Sequence, residues 1–419
     1  MSTEMRIFAL ATLLLMTACA PYRGSAPLAA PSSSRLLHIA GVDGVRAIDL
    51  DRGAVRFTLP LGIASPDGER FFATSADEDG TYLTVYRGAD GTALTHQVIP
   101  GGQVPAAASR HGRLVALRPA SPPAEHWLAA GRERTDLVVA DVERGSHRIY
   151  SLTGNYVPEA FAFAADRLFV VEYLPALAPE RYRVRQLDLA TGQVVPVGAR
   201  QKTVTVEEEM RGRSRTQVIA PDGARLYTLY VRDDDHLHVR NYPEAGGTGQ
   251  PNPHVQAFVH VLSLTEGWAF CQDLPMPFGM GPAEAHALAL SPDGRRLYIA
   301  SANAGFSYAV ADTTTLQLVG VQPKNAPIPY LSAAPVLLRV AGDGTLYLAT
   351  DRELVALDRG RRVGYRYPLA EPLRGLELSA DGSQLVTLSS TRLTVLDATS
   401  GAVRSELGLD AVSGAGSAL

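Results

Sequence analysis

A chain of 419 residues has room for two or three ordinary domains or one large repeat domain. With 46% hydrophobic and 20% charged residues it holds ample material for a core, which excludes a disordered composition. A formal net charge of -4 excludes nucleic acid as the expected partner, since neutralising phosphates takes a concentrated basic patch. Lys202 and Lys324 are the only lysines, so nearly all the positive charge is arginine, a bias typical of GC-rich coding. A few positions remain where arginine serves bidentate anion recognition.

Residues 7–18, IFALATLLLMTA, form an apolar run too short to span a bilayer as a stable helix. The run follows Arg6 and ends in small residues, the anatomy of a secretory signal. Glu4 fits poorly in a positive leader, and a start at Met5 would place Met-Arg directly before the run. The run closes on Leu15-Met16-Thr17-Ala18-Cys19, which resembles the lipobox of bacterial lipoproteins, with Met16 where leucine is usual. The resemblance implies a signal peptide over 1–18 and a diacylglycerol on Cys19 as the mature N-terminus. The alternative is an ordinary secretory signal with a chance cysteine. Two or more acyl chains anchor stably where one is marginal, so the implied address is extracytoplasmic and membrane-bound. Residues 20–35 are rich in Pro, Ala and Ser without periodicity, which makes 19–35 a lipidated tether.

Residues 36–419 read as one domain. No helical period of useful length occurs; short alternating or apolar strands are punctuated by recurring turns. Pro-Asp-Gly or X-Asp-Gly stands at 66–68, 221–223, 292–294, 342–344 and 380–382, with degenerate versions at His111-Gly112 and Ala165-Asp166. Aspartate bonds its own backbone in such a turn and glycine takes the positive φ. An aromatic or aliphatic pair opens the next strand, as in Phe71-Phe72 and Leu297-Tyr298, and a third strand ends near Asp188, Asp312, Asp358 or Asp397. Four short strands per unit of roughly 40 residues predict an all-β, seven- or eight-bladed β-propeller with four antiparallel strands per blade. Seven units carry the first turn, and 36–60 holds a second, third and fourth strand. Residues after 409 complete an eighth blade if they supply its inner strand; if the N-terminal strands are an appendage the count is seven. Eight is preferred. The unit at 291–321 is similar to the YVTN-type repeats of the quinoprotein and lactonase-like propeller superfamily, a likeness covering most of 36–409. It implies architecture rather than activity.

In that family's geometry the a–b and c–d loops share one face and the b–c and d–a loops the other. The long insertions, 118–135, 173–182, 232–255, 199–215 and 322–334, all belong to the second set. Their clustering predicts a docking face for a protein, peptide or glycan, with Trp127, Arg132, Tyr173, Tyr182, Arg211, His236, Tyr242 and Tyr330 as anchors.

Catalytic motifs are absent: no G-x-S-x-G, H-E-x-x-H, Walker loop or C-x-x-C-H occurs. Asp233, Asp235, His236 and His238 are the metal candidates, without a calcium-loop glycine or a third spaced histidine, so no metal is expected. Asp397-Ala398-Thr399-Ser400-Gly401 resembles the turn of quinone-cofactor propellers, but Trp127 and Trp268 follow no such turn, so no cofactor is expected beyond the lipid on Cys19. Cys271, in an alternating apolar stretch, reads as a buried, inert thiol. Glu159, His286 and Arg374 precede or sit in inner strands, where lactonase-like propellers hold Glu, His and Arg around the channel. A membrane-anchored binding or scaffold module is the expected function; a lactonase-like or dehydrogenase-like enzyme at the channel is the alternative.

Overall fold

The computed structural model describes residues 36–41, 44–49, 54–77, 80–121, 128–200, 209–211, 213–231, 255–276, 278–279, 283–302, 307–322, 335–379 and 381–409. Their strands group into eight sheets in chain order. Sheet 1 has three strands, β1 (Leu36–Gly41), β2 (Gly44–Asp49) and β3 (Ala54–Leu59). Sheet 2 runs β4 (Gly62–Ala64), β5 (Arg70–Asp77), β6 (Gly80–Arg87) and β7 (Ala93–Ile99). Sheet 3 runs β8 (Gln103–Ala108), β9 (Leu114–Pro119), β10 (Arg134–Asp141) and β11 (Ser146–Thr153). Sheet 4 runs β12 (Asn155–Phe161), β13 (Arg167–Leu174), β14 (Arg181–Asp188) and β15 (Val194–Pro196). Sheet 5 has β17 (Arg213–Ile219), β18 (Arg225–Val231), β19 (Val255–Ser263) and β20 (Trp268–Pro275), with β16 (Gly198–Ala199) parallel to β20 at its edge. Sheet 6 runs β21 (His286–Leu290), β22 (Arg296–Ser301), β23 (Ser307–Asp312) and β24 (Gln317–Gln322). Sheet 7 runs β25 (Leu337–Val340), β26 (Leu346–Ala349), β27 (Glu353–Leu357) and β28 (Val363–Pro368). Sheet 8 runs β29 (Gly375–Leu378), β30 (Gln384–Leu388), β31 (Arg392–Asp397) and β32 (Val403–Gly408). No helix among these residues is long and apolar enough to cross a membrane.

A lone four-stranded sheet leaves both faces wet, so each must find two partners. The buried side chains form eight clusters, each bridging consecutive sheets. Val45 and Leu59 meet Phe71 and Ala73 between sheets 1 and 2. Leu83 and Val85 meet Val115 and Val138 between sheets 2 and 3. The series continues through sheets 3–4, 4–5, 5–6, 6–7 and 7–8. The eighth cluster closes the circle: Ile48 of β2 is buried with Val386, Leu388, Leu393 and Val395 of the last sheet and with Leu409 just after it. The architecture is therefore a closed ring of eight sheets, a β-propeller, and the N-terminal strands are part of it rather than an appendage. Residues after 409, expected to supply the inner strand of sheet 1, lie outside the described residues.

The turns account for the regularity. Every connection from first to second strand spans five residues: 65–69, 109–113, 162–166, 220–224, 291–295, 341–345 and 379–383. In three of them a serine hydroxyl donates to the turn aspartate, Ser65 to Asp67 at 2.5 Å, Ser291 to Asp293 at 2.6 Å and Ser379 to Asp381 at 2.6 Å. The same hydroxyls accept the backbone N–H of Arg70, Arg296 and Gln384. Gly68, Gly294 and Gly382 take φ of +71°, +69° and +70°, where a side chain would be strained. In the degenerate turn of sheet 4 Ala165 occupies that position at φ +55°. At the third-to-fourth turns Asp188, Asp312 and Asp397 each accept two successive backbone N–H groups.

Candidate functional site

The two ends of the ring differ. At one end lie the five-residue turns and the four- or five-residue connections between third and fourth strands. At the other lie the strand ends joined by all the long connections: 120–133, 175–180, 200–212, 232–254, 276–285 and 323–336. This second end is called the rim below.

At the tight-turn end the inner strands β4, β8, β12 and β17 line a cleft of about 240 Å³, walled by Ile63, Ala107, Phe161, Phe163 and Ile219 with Glu159 among them. Glu159 is there because β12 carries a bulge: Pro158 pairs with Val170 and Ala160 with Phe169, leaving Glu159 unpaired in the ladder and half-buried. A proline cannot donate to a ladder, and a bulge beside it re-aims the extra residue. β8 repeats the device, skipping Ala106 after Pro105. Glu159 accepts a hydrogen bond from the Gln217 side-chain amide, which also donates to Thr228 at 3.1 Å. Above the cleft Arg110 stacks on Phe163, its guanidinium 4.8 Å from the ring centre.

The other two channel candidates do not join Glu159. His286 opens β21 and Arg374 directly precedes β29, both five residues before their turns, whereas Glu159 is three before its own. Two residues of strand set them roughly 6.6 Å nearer the rim. His286 is 3% exposed, and its Nε2 accepts the Gly279 N–H at 3.1 Å, which puts the proton of the neutral ring on Nδ1. Neither His286 nor Arg374 lines the cleft.

On the rim the structure corrects two of the proposed anchors. Tyr173 and Tyr182 are 3% and 0% exposed and belong to the core between sheets 4 and 5. They pair directly across β13 and β14, with ring centres 5.7 Å apart, and Tyr182 continues the contact to Tyr230 at 5.8 Å. The strands simply extend further into the supposed loop, and strand alternation carries both rings inward. Arg132 is half-buried at the rim, and Arg211 is exposed there. The segment before Arg211 is pinned to β14: Met210 exchanges two backbone hydrogen bonds with Tyr182, at 2.7 and 2.9 Å, and Glu209 pairs with Arg181. Trp127, His236, Tyr242 and Tyr330 lie outside the described residues, as do Asp233, Asp235, His238 and Cys19. Among the described residues no group of three or more His, Cys, Asp or Glu is placed to hold a metal. Cys271 is half-buried rather than buried, against the cluster of sheets 4 and 5.

Four rim residues went unnoticed in the sequence. Asn155 is wholly buried and donates its amide to Ala130 O at 2.9 Å and Ala176 O at 3.1 Å, stapling the insertion of sheet 3 to that of sheet 4. Gly131 fits beneath: a Cβ there would stand 1.9 Å from Leu177 O. Leu177 is 63% exposed. Arg118, at the end of β9, faces the same corner as Arg132. The sequence signal for Arg118 was its place at the mouth of the 120–133 insertion.

Half-buried between sheets 3 and 4, Glu172 accepts from Arg183 at 2.6 Å, Arg185 at 3.0 Å and the Tyr156 hydroxyl at 3.0 Å. Burial pushes its carboxyl up, but the two guanidiniums outweigh it and the net pKa is lowered. Tyr156 is pushed up to about 12 by burial and by that carboxylate.

The site thus belongs to a ring-shaped β-propeller with one plain end and one elaborated end. No family model matches the chain, and no curated protein matches it. Among solved structures it is similar to the dihydro-heme d1 dehydrogenase NirN in complex with DHE: 17% identity over 92% of this chain and 76% of that one, TM-score 0.51. It is also similar to apo AztD from Citrobacter koseri, at 13% identity over 92% of this chain and 97% of that one, TM-score 0.53. Both likenesses concern the propeller fold alone.

Proposed function

We propose that the protein is a non-catalytic binding module of the bacterial cell envelope, exported and held at a membrane by acylation of Cys19. It takes a protein, peptide or glycan partner on its rim. The observation that carries the reading is the asymmetry of the ring: every first-to-second connection is a five-residue turn, while every long connection leaves the opposite end. Long loops cost closure entropy and order, so their restriction to one end supports a docking role there. The lipobox-like Leu15-Met16-Thr17-Ala18-Cys19 and the YVTN-like repeat support the address and the lineage. The enzymatic alternative has Glu159 in its favour, since that carboxylate stands in the channel cleft. His286 and Arg374 stand apart from it, so the acid, base and cation of such a site are not gathered there.

Two measurements test the reading. Cells fed an alkyne-bearing fatty acid are expected to label the wild-type protein and not Cys19→Ser, which then leaves the membrane fraction. A photo-crosslinking amino acid at Leu177, on the rim, is expected to trap a partner that the same probe at Glu143, on the tight-turn end, does not. Adducts from Glu143 alone would move the docking face to the other end and refute the rim reading.

A further inference from the structure

We propose that Arg118 and Arg132 together seat one carboxylate of a protein partner on the rim. The inference rests on the rim reading above and gives it a chemistry. Arg118 is the penultimate residue of β9 and Arg132 stands two residues before β10, at the two ends of one insertion. Arg118 Nη1 donates to Pro119 O at 3.3 Å. Arg132 Nη2 donates to Ser121 Oγ, and that hydroxyl donates in turn to Pro119 O at 3.4 Å. One carbonyl and one hydroxyl therefore link the two cations.

Both side chains are half-buried, and among the described residues neither has a carboxylate partner. Their neighbours in sheet 3 are paired: Arg113 with Asp141 at 2.7 Å, Arg134 with Asp136 at 3.2 Å. Burial and the nearby Arg118 charge both hold Arg132 below the ordinary arginine range. Two like charges partly withdrawn from water are electrostatically unfavourable together, and an arriving anion relieves both the burial and the repulsion.

The corner is also preformed. The Arg132 N–H donates to Ala176 O at 2.9 Å, Asn155 grips Ala130 O and Ala176 O, and Gly131 admits the backbone of Leu177. A fork held in place loses less freedom when it binds. On the same clamp Leu177 is the most exposed of the large hydrophobic side chains described, an apolar anchor next to the charged pair. A lipid surface would ask for more: recruitment to anionic headgroups takes clusters of about four to eight basic residues. Two guanidiniums beside one leucine fit a single acidic side chain or chain terminus of a protein.

The test uses the mature, full-length protein. In cells, a photo-crosslinker at Leu177 is expected to trap a polypeptide in the wild type, with adduct yield falling about tenfold or more in Arg118→Gln/Arg132→Gln, as for a lost charge-assisted pair. The Arg134→Gln control, which breaks an existing surface pair, is expected to leave the yield unchanged. With purified protein at fixed ionic strength, a triglutamate peptide is expected to raise the melting temperature of the wild type and not of the double variant. Arg118→Lys/Arg132→Lys keeps the charge but loses the fork, and is expected to recover only a minor part of the shift, which separates recognition from folding. Equal adducts in wild type and double variant would overturn the arginine proposal while leaving the rim reading intact. So would stabilisation by inorganic phosphate, or binding to phosphatidylglycerol vesicles, in place of the response to triglutamate. If Leu177 traps nothing in any background the rim reading fails, and the triglutamate titration then decides the arginine pair alone.

Discussion

Replacing Ile48 with alanine attacks the one interface on which ring closure depends. Ile48 is wholly buried in β2, in a cluster with four side chains of the last sheet and Leu409 just beyond it, more than 300 residues later in the chain. The change deletes three buried carbons, worth about 2.4 kcal/mol at about 0.8 kcal/mol each. The cavity left behind adds about 1 kcal/mol where neighbours close only part of it, which brings the cost to roughly 3.5 kcal/mol. The control is Val55→Ala on β3 of the same sheet, where the side chain is 44% exposed and the expected change is under about 0.5 kcal/mol. Urea unfolding of the mature domain, followed by tryptophan fluorescence and by far-ultraviolet circular dichroism, reads both variants on one scale. Ile48→Ala should move the midpoint well below that of wild type, Val55→Ala hardly at all. If the two variants behave alike, sheet 1 hangs on the outside of a seven-sheet ring and the closure argued from Ile48 is wrong.

Four further outcomes are expected. Ala165→Gly removes the strain of φ +55° and should raise stability by up to about 1 kcal/mol, seen as a higher melting temperature. Gly401→Ala should do the reverse by about 1–3 kcal/mol in the same assay, since φ is +72° there and a Cβ would stand 2.5 Å from the Tyr365 ring. Because the folded protein holds the Glu172 carboxyl below its ordinary value of 4.5, its stabilising contribution is present above that value and lost as pH falls through the folded pKa. Acid titration of stability should therefore be flatter below pH 4.5 for Glu172→Gln, which at neutral pH costs about 3 kcal/mol by stranding Arg183 and Arg185. Asn155→Ala removes both staples between the rim loops and should speed amide hydrogen exchange at 128–134 and 175–180 while the strands of sheets 6 to 8 stay protected; uniform exchange would refute the local role.

The ring was legible because its punctuation is local. Ser291-Pro292-Asp293-Gly294 and Ser379-Ala380-Asp381-Gly382 carry their own geometry in the hydroxyl, the carboxylate and the glycine, so repetition along the chain became repetition in space. Even the degenerate turn at Ala165 keeps its backbone hydrogen bond, the Ala165 N–H reaching Ala162 O at 2.8 Å. Tyr173 and Tyr182 went astray for the opposite reason: they stand at the border of an insertion, where residue type points to an interface and strand parity points to the core. Phe169, Val171 and Tyr173 share one side of β13, and Tyr182 and Val184 continue that side on β14, so a strict period of two would have sent both tyrosines inward.

The channel candidates show where residue type stops being informative. Glu159, His286 and Arg374 are alike in preceding or sitting in an inner strand, and a reading by type groups them. Their grouping in space depends on counting back from the turn, which places Glu159 at a different height, and on the bulge after Pro158, which turns its carboxylate into the cleft. The rim obeys the same logic from the other side. Arg118 and Arg132 are separated by an insertion of no visible pattern, yet Pro119 O and Ser121 Oγ link their side chains across its two ends. In a protein so rich in arginine, the informative quantity is not how many guanidiniums a surface carries but which of them the fold brings together with no acid among the described residues. Hydrogen-bond links and the partners of the described residues, rather than composition, thus single out the corner at Arg118 and Arg132 from the paired arginines around it.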